Sequence, residues 1–357
     1  MIARNSIKHL VALLIFLLPV AMNASDANQK HNEKPEEFNA TEMIMHHIAD
    51  SHEWHFFGNT TLPLPVILKT DSGIVTFMSS EFHHDNTGSH VVTKNGQNFV
   101  KLHEKIYQLN SGETALSLNE KHEVTNAVKP LDLSITKNVF AMFITVALML
   151  MLFLPMAKSY KKNTQAPKGM SNLLETFVMF IRDDIARPNI GEKKYMKFMP
   201  FLLTVFFFIW ITNMLGLVPG GANVTGNISI TVALGCVTLF LILINANKDY
   251  WKHVLWMPGV PTFVKPILAV VELLGVFIKP IALMIRLFAN ITAGHIIILS
   301  LLGLIFILKN AGIAGVSVPF ALFISVLELL VAFLQAFIFT MLSALFIGMA
   351  VEEHEHH

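Results

Sequence analysis

Residues 267–308 read ILAVVELLGVFIKPIALMIRLFANITAGHIIILSLLGLIFIL, an apolar run with very few ionisable side chains. As one α-helix it would extend on the order of 60 Å at about 1.5 Å per residue, whereas the hydrocarbon core of a bilayer is about 30 Å thick. A second run of similar length, 313–351, follows the segment Lys309-Asn310-Ala311-Gly312. Either each run breaks into two helices, or the two form a tilted hairpin. We predict the hairpin, because neither run contains a segment polar enough to be an aqueous loop.

Three shorter apolar stretches precede this hairpin, at residues 139–157, 198–218 and 228–246. Each is about 20 residues long, the length that one helix needs to cross a bilayer. Hydrophobic residues make up 53% of the 357-residue chain, and its mean hydropathy is +0.55. The sequence therefore predicts an all-α polytopic membrane protein with about five membrane helices, the last two long and tilted as a hairpin, together with a small β-rich exported domain at the amino-terminal end.

The distribution of charges indicates the orientation in the membrane. Residues 25–137 carry 15 acidic and 9 basic side chains, whereas residues 158–197 carry 4 acidic and 9 basic ones. Since basic loops remain on the cytoplasmic side, we expect residues 158–197 in the cytoplasm and the acidic part outside. With one crossing per apolar stretch, residues 248–265 and the carboxyl terminus are also cytoplasmic, and the uncharged turn at 219–227 is external.

The amino terminus has the layout of a secretory signal peptide. Arg4 and Lys8 precede an apolar run at residues 10–22, and a polar segment follows. Ala24 suits the last position of a cleavage site but Met22 is not small, so an uncleaved anchor is the alternative to cleavage. We expect three parts along the chain: a signal peptide at 1–24, a periplasmic extension at 25–137 and a membrane domain at 138–357.

The extension is expected to be partly disordered and partly built from β-hairpins. Its polar beginning, 25–39, has too little apolar surface to fold. Two pairs of apolar segments then flank turn sequences, residues 62–68 with 74–78 and residues 91–93 with 99–102. Both pairs predict β-hairpins, and Asn95-Gly96 in the second turn is the stronger signal.

The histidines do not predict a metal site, and the cysteine does not predict a redox site. Ten of the sixteen histidines lie in the extension, among them His46, His47, His52 and His55. A metal site there is the alternative to solvated surface histidines, which we prefer because cysteines and the spacing of a known site are both missing. The single Cys236 cannot form an intramolecular disulfide, and its apolar neighbours indicate a small buried hydrophobic residue.

A further helix is predicted between the first two membrane stretches. Apolar side chains recur at helical spacing within residues 171–185, where Arg182, Asp183 and Asp184 lie near the end. This pattern is typical of an amphipathic helix on the cytoplasmic membrane surface, or of a helix in a soluble loop on that side.

The ionisable side chains within 267–308 fall on two helix faces. At about 100° per residue, Glu272, Lys279 and Arg286 lie within about 40° of one another, with Asn290 close beside them. His295 falls about 180° from Arg286 and so serves another face. A charge at the centre of a membrane helix costs about 2.5–3.5 kcal/mol, so the guanidinium of Arg286 needs a partner or a function and indicates an ion pathway.

Small residues flank this polar stripe. Gly275, Ala282 and Ala289 recur every seven residues and leave a smooth strip against which another helix could pack or slide. Ordinary small-residue helix packing is the alternative interpretation, and the neighbouring Arg286 argues against it.

The second long run adds Glu328 and Gln335, seven residues apart and therefore on one face. In a hairpin, His295 and Glu328 can lie on opposite sides of one cavity. An imidazole and a carboxylate inside a membrane are suited to relaying protons, because neighbouring charges tune their proton affinities. The alternative is pairing that only stabilises the helices, between Glu272 and Lys279 and between His295 and Glu328.

Several motifs together resemble subunit a of the F-type ATP synthase. Arg286-Leu287-Phe288-Ala289-Asn290 is followed by Ala293-Gly294, and Leu334-Gln335-Ala336-Phe337-Ile338-Phe339 leads to Met349-Ala350-Val351-Glu352-Glu353-His354. Gly226-Asn227-Ile228-Ser229 opens the third stretch in the same way. The resemblance covers roughly residues 138–357, and the combination is highly specific because both intramembrane motifs occur at the expected separation.

This resemblance implies a proton-translocating stator subunit of a bacterial F-type ATP synthase. Such a subunit is a multi-pass protein of the inner membrane that forms two half-channels against the rotating ring of c subunits, beside subunit b of the peripheral stalk. It catalyses no bond chemistry itself, and it requires no cofactor, metal ion or nucleic acid. Its amino-terminal domain would be periplasmic and its carboxyl terminus cytoplasmic.

The matching positions imply roles for individual residues. Arg286 matches the arginine that meets each ring carboxylate, favours its ionised form and blocks a proton leak between the half-channels, a task that suits its permanent charge. Asn290 and Gln335 match polar partners close to it. The other matching positions imply a cytoplasmic half-channel carboxylate at Glu272, a secondary role for Lys279, ring packing at Gly275, Ala282 and Ala289, and an external half-channel lined by His295 and Glu328.

Two departures from the family pattern stand out. Well-known bacterial members carry a carboxylate where this chain has His295 and a histidine where it has Glu328. The exchange preserves an acid–imidazole pair but leaves its donor and acceptor order open. The long exported domain is absent from compact members, and its beginning, 46–54, resembles extended bacterial forms.

A stand-alone secondary transporter or proton channel that binds an anionic substrate at Arg286 is the main alternative. Such folds are typically built from paired repeats and helices broken near the membrane midplane, and neither feature is visible in the sequence. A purely structural membrane scaffold is a third interpretation, which Arg286 and Glu328 disfavour. The sequence leaves open whether the coupling ion is H⁺ or Na⁺, since the selecting carboxylate belongs to the ring.

Overall fold

The computed structural model describes residues 49–55, 61–120, 123–162, 169–218, 220–257, 259–308 and 311–352. The predicted signal peptide, the predicted disordered segment and the histidines His46 and His47 lie outside the described residues. Within the described part, a β-rich region is followed by a series of helices. This order confirms the predicted combination of a β-rich amino-terminal part and a helical membrane part.

Short strands build the β-rich region. In chain order they are β1 (Glu53–His55), β2 (Thr61–Pro63), β3 (Pro65–Thr70), β4 (Gly73–Met78), β5 (Thr87–Lys94), β6 (Gln97–Leu102), β7 (Lys105–Leu109), β8 (Ala127–Val128) and β9 (Leu131–Asp132). Among the described residues they form three antiparallel sheets, with the orders β1-β2, β4-β3-β9 and β5-β6-β7-β8. The sheets β4-β3-β9 and β5-β6-β7-β8 share a core that consists of Val66, Leu68, Val75, Phe77, Phe82, Val92, Phe99 and Ile106.

Both predicted hairpins are present. Thr70 pairs with Gly73 across the first turn, and β5 pairs with β6 across the second. Asn95 and Gly96 have φ angles of 51° and 75°, which a two-residue turn of type I′ requires.

The extent predicted for the first strand, 62–68, is wrong. The chain divides this segment between β2 and β3, and the two strands belong to different sheets. Pro63 ends β2 and Pro65 begins β3. Because proline has no backbone N–H to donate to a ladder, the two prolines interrupt what would otherwise be one strand.

The helices follow without further strands in the described residues. They are α1 (Lys137–Lys162), α2 (Met170–Phe180), α3 (Arg187–Ile190), α4 (Tyr195–Gly216), α5 (Ile228–Asn245), α6 (Lys248–Leu255), α7 (Lys265–Leu308) and α8 (Ala311–Val351). A π-helical segment, Ile181–Ala186, joins α2 to α3.

Five of these helices, α1, α4, α5, α7 and α8, are long and apolar enough to cross a membrane. They coincide with the five stretches identified in the sequence, so the chain is a multi-pass membrane protein. Helices α7 and α8 are continuous over 44 and 41 residues and pack against each other. At about 1.5 Å per residue both exceed the bilayer core twofold, so each must be steeply tilted to remain within it. Residues 309 and 310 of the predicted turn lie outside the described residues.

The predicted amphipathic helix forms, and the structure shows what its apolar face contacts. Leu174 and the π-helical residues Ile181 and Ile185 belong to the main hydrophobic core of the helices. The ring of Phe177 lies 4.8 Å from that of Trp210 in α4 and 6.1 Å from that of Phe333 in α8, measured between centroids. The segment therefore packs along the sides of α4 and α8.

Candidate functional site

Arg286 lies on an exposed face of α7. Its side chain makes no hydrogen bond or ion pair within the described part of the chain, whereas its neighbour Leu287 is completely buried in the helix core. Ala282 and Ala289 are also exposed, and the space beyond Gly275 is open. The arginine and the strip of small residues thus share a surface that no described element of this chain covers.

Asn290 and Gln335 connect the two long helices beside Arg286. The side-chain amide of Asn290, one helical turn after the arginine, donates to Oε1 of Gln335 at 3.0 Å. Gln335 is buried to 2% exposure in α8. Asn290 and Gln335, expected as polar partners close to Arg286, are hydrogen-bonded to each other in the described structure, with Asn290 on the exposed side.

His295 and Glu328 lie together on another side of α7. Nε2 of His295 is 4.0 Å from Oε1 of Glu328, which is 4% exposed. Gly294 permits this approach, since a Cβ on it would overlap the Glu328 carboxylate. The predicted separation of His295 from the Arg286 face and its pairing with Glu328 both agree with these positions.

The His295–Glu328 pair faces a cavity of about 460 Å³. Its walls come from α7, from α8 and from the segment where α4 ends and the chain turns towards α5. The residues that line it include Gly216, Leu217, Val218, Gly220, Gly221, Asn223, His295, Leu302, Ser325, Val326, Glu328 and Leu329. Trp54 of the β-rich region donates a hydrogen bond to Gly220 in this segment, so the cavity lies at the end of the helices that the β-rich region contacts.

Both carboxylate oxygens of Glu328 are buried and make no hydrogen bond to any described residue. Buried polar atoms are normally satisfied by protein or by ordered water, and one water needs only about 30 Å³ of liquid volume. A cavity of 460 Å³ beside this carboxylate is large enough for several. The arrangement is suited to carrying a proton between water and a buried carboxylate.

One buried polar residue of α4 was not interpreted from the sequence. Asn213 of α4 is 2% exposed; its side-chain oxygen accepts from the Thr225 hydroxyl at 2.6 Å, and its amide donates to the Ala332 carbonyl at 3.4 Å. The available signal was an asparagine within an apolar stretch. Its partners lie on other elements, so periodicity within one helix could not reveal them.

Glu272 lies fourteen residues before Arg286, towards the opposite end of α7. Burial raises the pKa of the Tyr250 phenol in α6, and the nearby negative charge of Glu272 raises it further. Lys279 is placed with its Nζ 5.6 Å from the ring centroid of Phe346 in α8. Glu272 and Lys279 do not form an ion pair in the described structure, so the alternative that they stabilise the helices as a pair is not supported.

Two described histidines of the β-rich region lie beside carboxylates. Among the described residues, no three His, Cys, Asp or Glu side chains are placed to hold a metal ion. Nε2 of His52 lies 2.9 Å from Oδ2 of Asp132, and Nδ1 of His84 lies 2.6 Å from Oε2 of Glu53. Cys236, predicted to be buried, is instead exposed on the surface of this chain.

Residues 139–348, which include all the helices that form this site, match the family model described as ATP synthase A chain. The chain belongs to this family, the subunit a family of F-type ATP synthases. Residues 43–133 match a second model, described as a domain of unknown function (DUF8433). The amino-terminal β-rich region of this subunit a family member therefore matches a separate sequence family.

Curated relatives share about half of the aligned residues. Over 232 residues the chain is 51% identical to "ATP synthase subunit a" of Chloroherpeton thalassium, an alignment that covers 63% of this chain and 69% of the relative. It is 49% identical over 241 residues to "ATP synthase subunit a 2" of Chlorobaculum tepidum, covering 63% and 66%. For "ATP synthase subunit a" of Myxococcus xanthus the identity is 48% over 233 residues, covering 64% and 76%.

Proposed function

We propose that this subunit a family member is the proton-translocating stator subunit of the membrane sector of an F-type ATP synthase, forming two half-channels against a rotating c-ring. The observation that carries the proposal is the arrangement of α7. One of its faces presents an exposed, unpaired Arg286 with a strip of small residues, while another lines a cavity with the pair His295–Glu328.

The exposed face suits a partner that carries carboxylates and moves past it. An uncompensated guanidinium in a membrane is costly, and a carboxylate of the ring would offset that cost. The small side chains of Ala282 and Ala289 would let ring helices approach closely and slide. Because arginine remains protonated, it would hold each passing carboxylate in its ionised form.

The polar residues divide between the two ends of α7, as offset half-channels require. His295 lies nine residues after Arg286, about 14 Å along the helix, and Glu272 lies about 21 Å away in the other direction. A proton would enter the cavity, pass between Glu328 and His295, and reach a ring carboxylate near the Asn290–Gln335 pair. After nearly a full turn of the ring it would leave near Glu272, with Lys279 in a secondary role.

The same proposal gives the surroundings of the subunit. Its partners are the c-ring, subunit b of the peripheral stalk and the lipid bilayer, and ATP chemistry belongs to other subunits. It resides in a bacterial inner membrane, with a signal peptide at 1–24, a periplasmic extension at 25–137 and a membrane domain at 138–357. The basic segment 158–197 and the carboxyl terminus would then be cytoplasmic.

ATP-driven acidification of inverted membrane vesicles tests this function. We expect Arg286→Ala to abolish acidification while the complex remains assembled and hydrolyses ATP, because the ring carboxylates lose their counter-charge. The matched control is Arg182→Ala, which removes an arginine that pairs with Asp183 outside the α7 face and should leave pumping intact. Undiminished pumping by Arg286→Ala would favour a transporter or a scaffold.

A further inference from the structure

The start of the β-rich region holds the loop that forms one wall of the cavity. Nε1 of Trp54 in β1 donates a hydrogen bond of 2.7 Å to the backbone carbonyl of Gly220. The Trp54 ring packs edge-on against Phe140 of α1, with 5.6 Å between centroids, and shares a small apolar cluster with Ala222 and Val224. Trp54 is only 7% exposed, so its ring is fixed between α1 and the loop.

A second anchor lies at the far end of the same loop. The Asp50 carboxylate accepts hydrogen bonds from the Thr136 hydroxyl at 3.0 Å, the Asn138 backbone N–H at 3.1 Å and the Asn227 side-chain amide at 3.2 Å. The side-chain oxygen of Asn227 caps α5 by accepting a hydrogen bond from the Ser229 N–H at 3.0 Å. Asp50 thus ties the start of α1 to the start of α5.

The Asp50 carboxyl group is partly buried. Burial raises the pKa of its carboxyl group, although the hydrogen bonds from Asn138 and Thr136 oppose that rise. A carboxylate kept in such a place costs free energy unless its hydrogen-bond donors are held in position. The anchor at Asp50 is therefore sensitive to the identity of both partners across it.

The loop that these two anchors contact forms part of the cavity wall. Leu217, Val218, Gly220, Gly221 and Asn223 line the same space as His295 and Glu328. Across that space lie the apolar side chains of Val326 and Leu329. Apolar walls on both sides favour closure, because contact between them would remove apolar surface from water.

We propose that Trp54 and Asp50 are positioning residues for the half-channel on the exported side, holding the loop 217–227 outward so that the cavity stays open to water. The inference rests on the proposed function in naming the cavity a half-channel. It assigns a role to the exported β-rich region, as a brace for the mouth of the proton pathway.

The rate at which a thiol inside the cavity reacts with an external reagent measures this opening. Cys236 is the only cysteine, so Cys236→Ser gives a cysteine-free background. Ser325→Cys then places a reporter thiol on the cavity wall, and a membrane-impermeant cationic methanethiosulfonate is added from the exported side of intact cells or oriented vesicles. Asp71→Cys, at an exposed turn, is the reference for folding and access.

Four variants of the assembled complex separate positioning from mere stability. Trp54→Phe keeps an aromatic ring but removes the donor to Gly220. Asp50→Asn replaces one of the two acceptor oxygens of the second anchor with a donor, so it cannot satisfy both Asn138 on one side and Thr136 and Asn227 on the other. Asn227→Asp places two carboxylates opposite each other, whereas combining the two changes exchanges donor and acceptor and restores one hydrogen bond across the anchor. We expect each single change to slow labelling of Ser325→Cys about fivefold, which corresponds to the roughly 1 kcal/mol of one hydrogen bond. The combined exchange should recover most of the parent rate, and Asp71→Cys should react unchanged throughout.

Unchanged or faster labelling in all single variants would overturn the proposal, as would failure of the exchange to restore the rate. Labelling does not depend on pumping, so the two proposals can fail separately. If Arg286→Ala pumps normally but the labelling pattern holds, the brace stands and the stator function falls. If pumping depends on Arg286 but the labelling pattern is absent, only the brace is wrong.

Discussion

The surroundings of the buried Glu328 carboxylate differ from those of an ordinary structural ion pair. It is 4% exposed, its nearest basic atom is Nε2 of His295 at 4.0 Å, and that distance is longer than a direct hydrogen bond. The looser geometry beside a cavity suits groups that exchange protons with water.

Exchanging the two residues tests their joint role. We expect His295→Glu and Glu328→His each to reduce ATP-driven pumping at least tenfold, because each leaves two like groups facing the cavity. The double exchange should retain more pumping than either single variant, since it restores one acid and one imidazole. Acidification of inverted vesicles at equal complex abundance measures this. A double variant as impaired as the worse single one would exclude a paired relay.

The helix face that a side chain occupies was predictable where the geometry of a single helix determined it. The spacing of Arg286, Asn290 and His295 along one helix correctly separated an exposed polar face from the face that carries His295, because about 100° per residue fixes both. Asn213 and Tyr250 were missed for the opposite reason. Their significance arises from packing between helices that are distant in sequence, and no periodic pattern encodes that.

At the scale of elements, hydrophobic length was the most reliable signal. The five apolar stretches became the five long helices, and an Asn-Gly turn located a hairpin. The division of residues 62–68 between two sheets was not predicted, because strand pairing depends on partners such as β1 and β9 from elsewhere in the chain. The same limitation concealed the contact of α2 with α4 and α8.

The β-rich region offers an element-scale prediction about pH. Burial alone would raise the pKa of Asp132, but hydrogen bonds from His52 and Ser134 outweigh it and lower the pKa to about 2. A carboxyl group with a lowered pKa stabilises the fold above its ordinary value of 3.8, and this stability is lost as pH falls through about 2. The contribution at neutral pH is about 2 kcal/mol.

Cleavage by pepsin, which is active in acid, measures this effect in the intact membrane protein. We expect Asp132→Asn to increase cleavage within the β-rich region by at least about tenfold at pH 4, because cleavage follows the population of opened molecules. The difference from wild type should disappear as the pH falls to about 2. Asp71→Asn, at an exposed turn, is the matched control. A constant difference across that pH range would contradict the assigned contribution of Asp132.

At the scale of the whole molecule, α7 organises the proposed function. It carries the exposed Arg286, forms one wall of the cavity at the end contacted by the β-rich region, and holds Glu272 near α6 towards the other end. In the proposed function, water reaches each half-channel from one side of the membrane and Arg286 separates the two half-channels. Protons would then cross only by travelling with the ring. The family and the five-helix fold were predictable from the sequence. The contact of the β-rich region with the cavity loop was not, since it joins residues more than 160 positions apart.

Passive proton flow through vesicles stripped of the ATP-hydrolysing sector tests the role of Arg286 most directly. With a potassium diffusion potential as the driving force, we expect wild-type flow to be coupled to ring rotation and to stop when the ring carboxylates are chemically blocked. In Arg286→Ala, which should have lost ATP-driven pumping, we expect a leak that persists after this block, because the barrier between the half-channels has been removed. If Arg286→Ala abolishes passive flow together with pumping, or leaves it as sensitive to the block as in wild type, the arginine does not separate two half-channels.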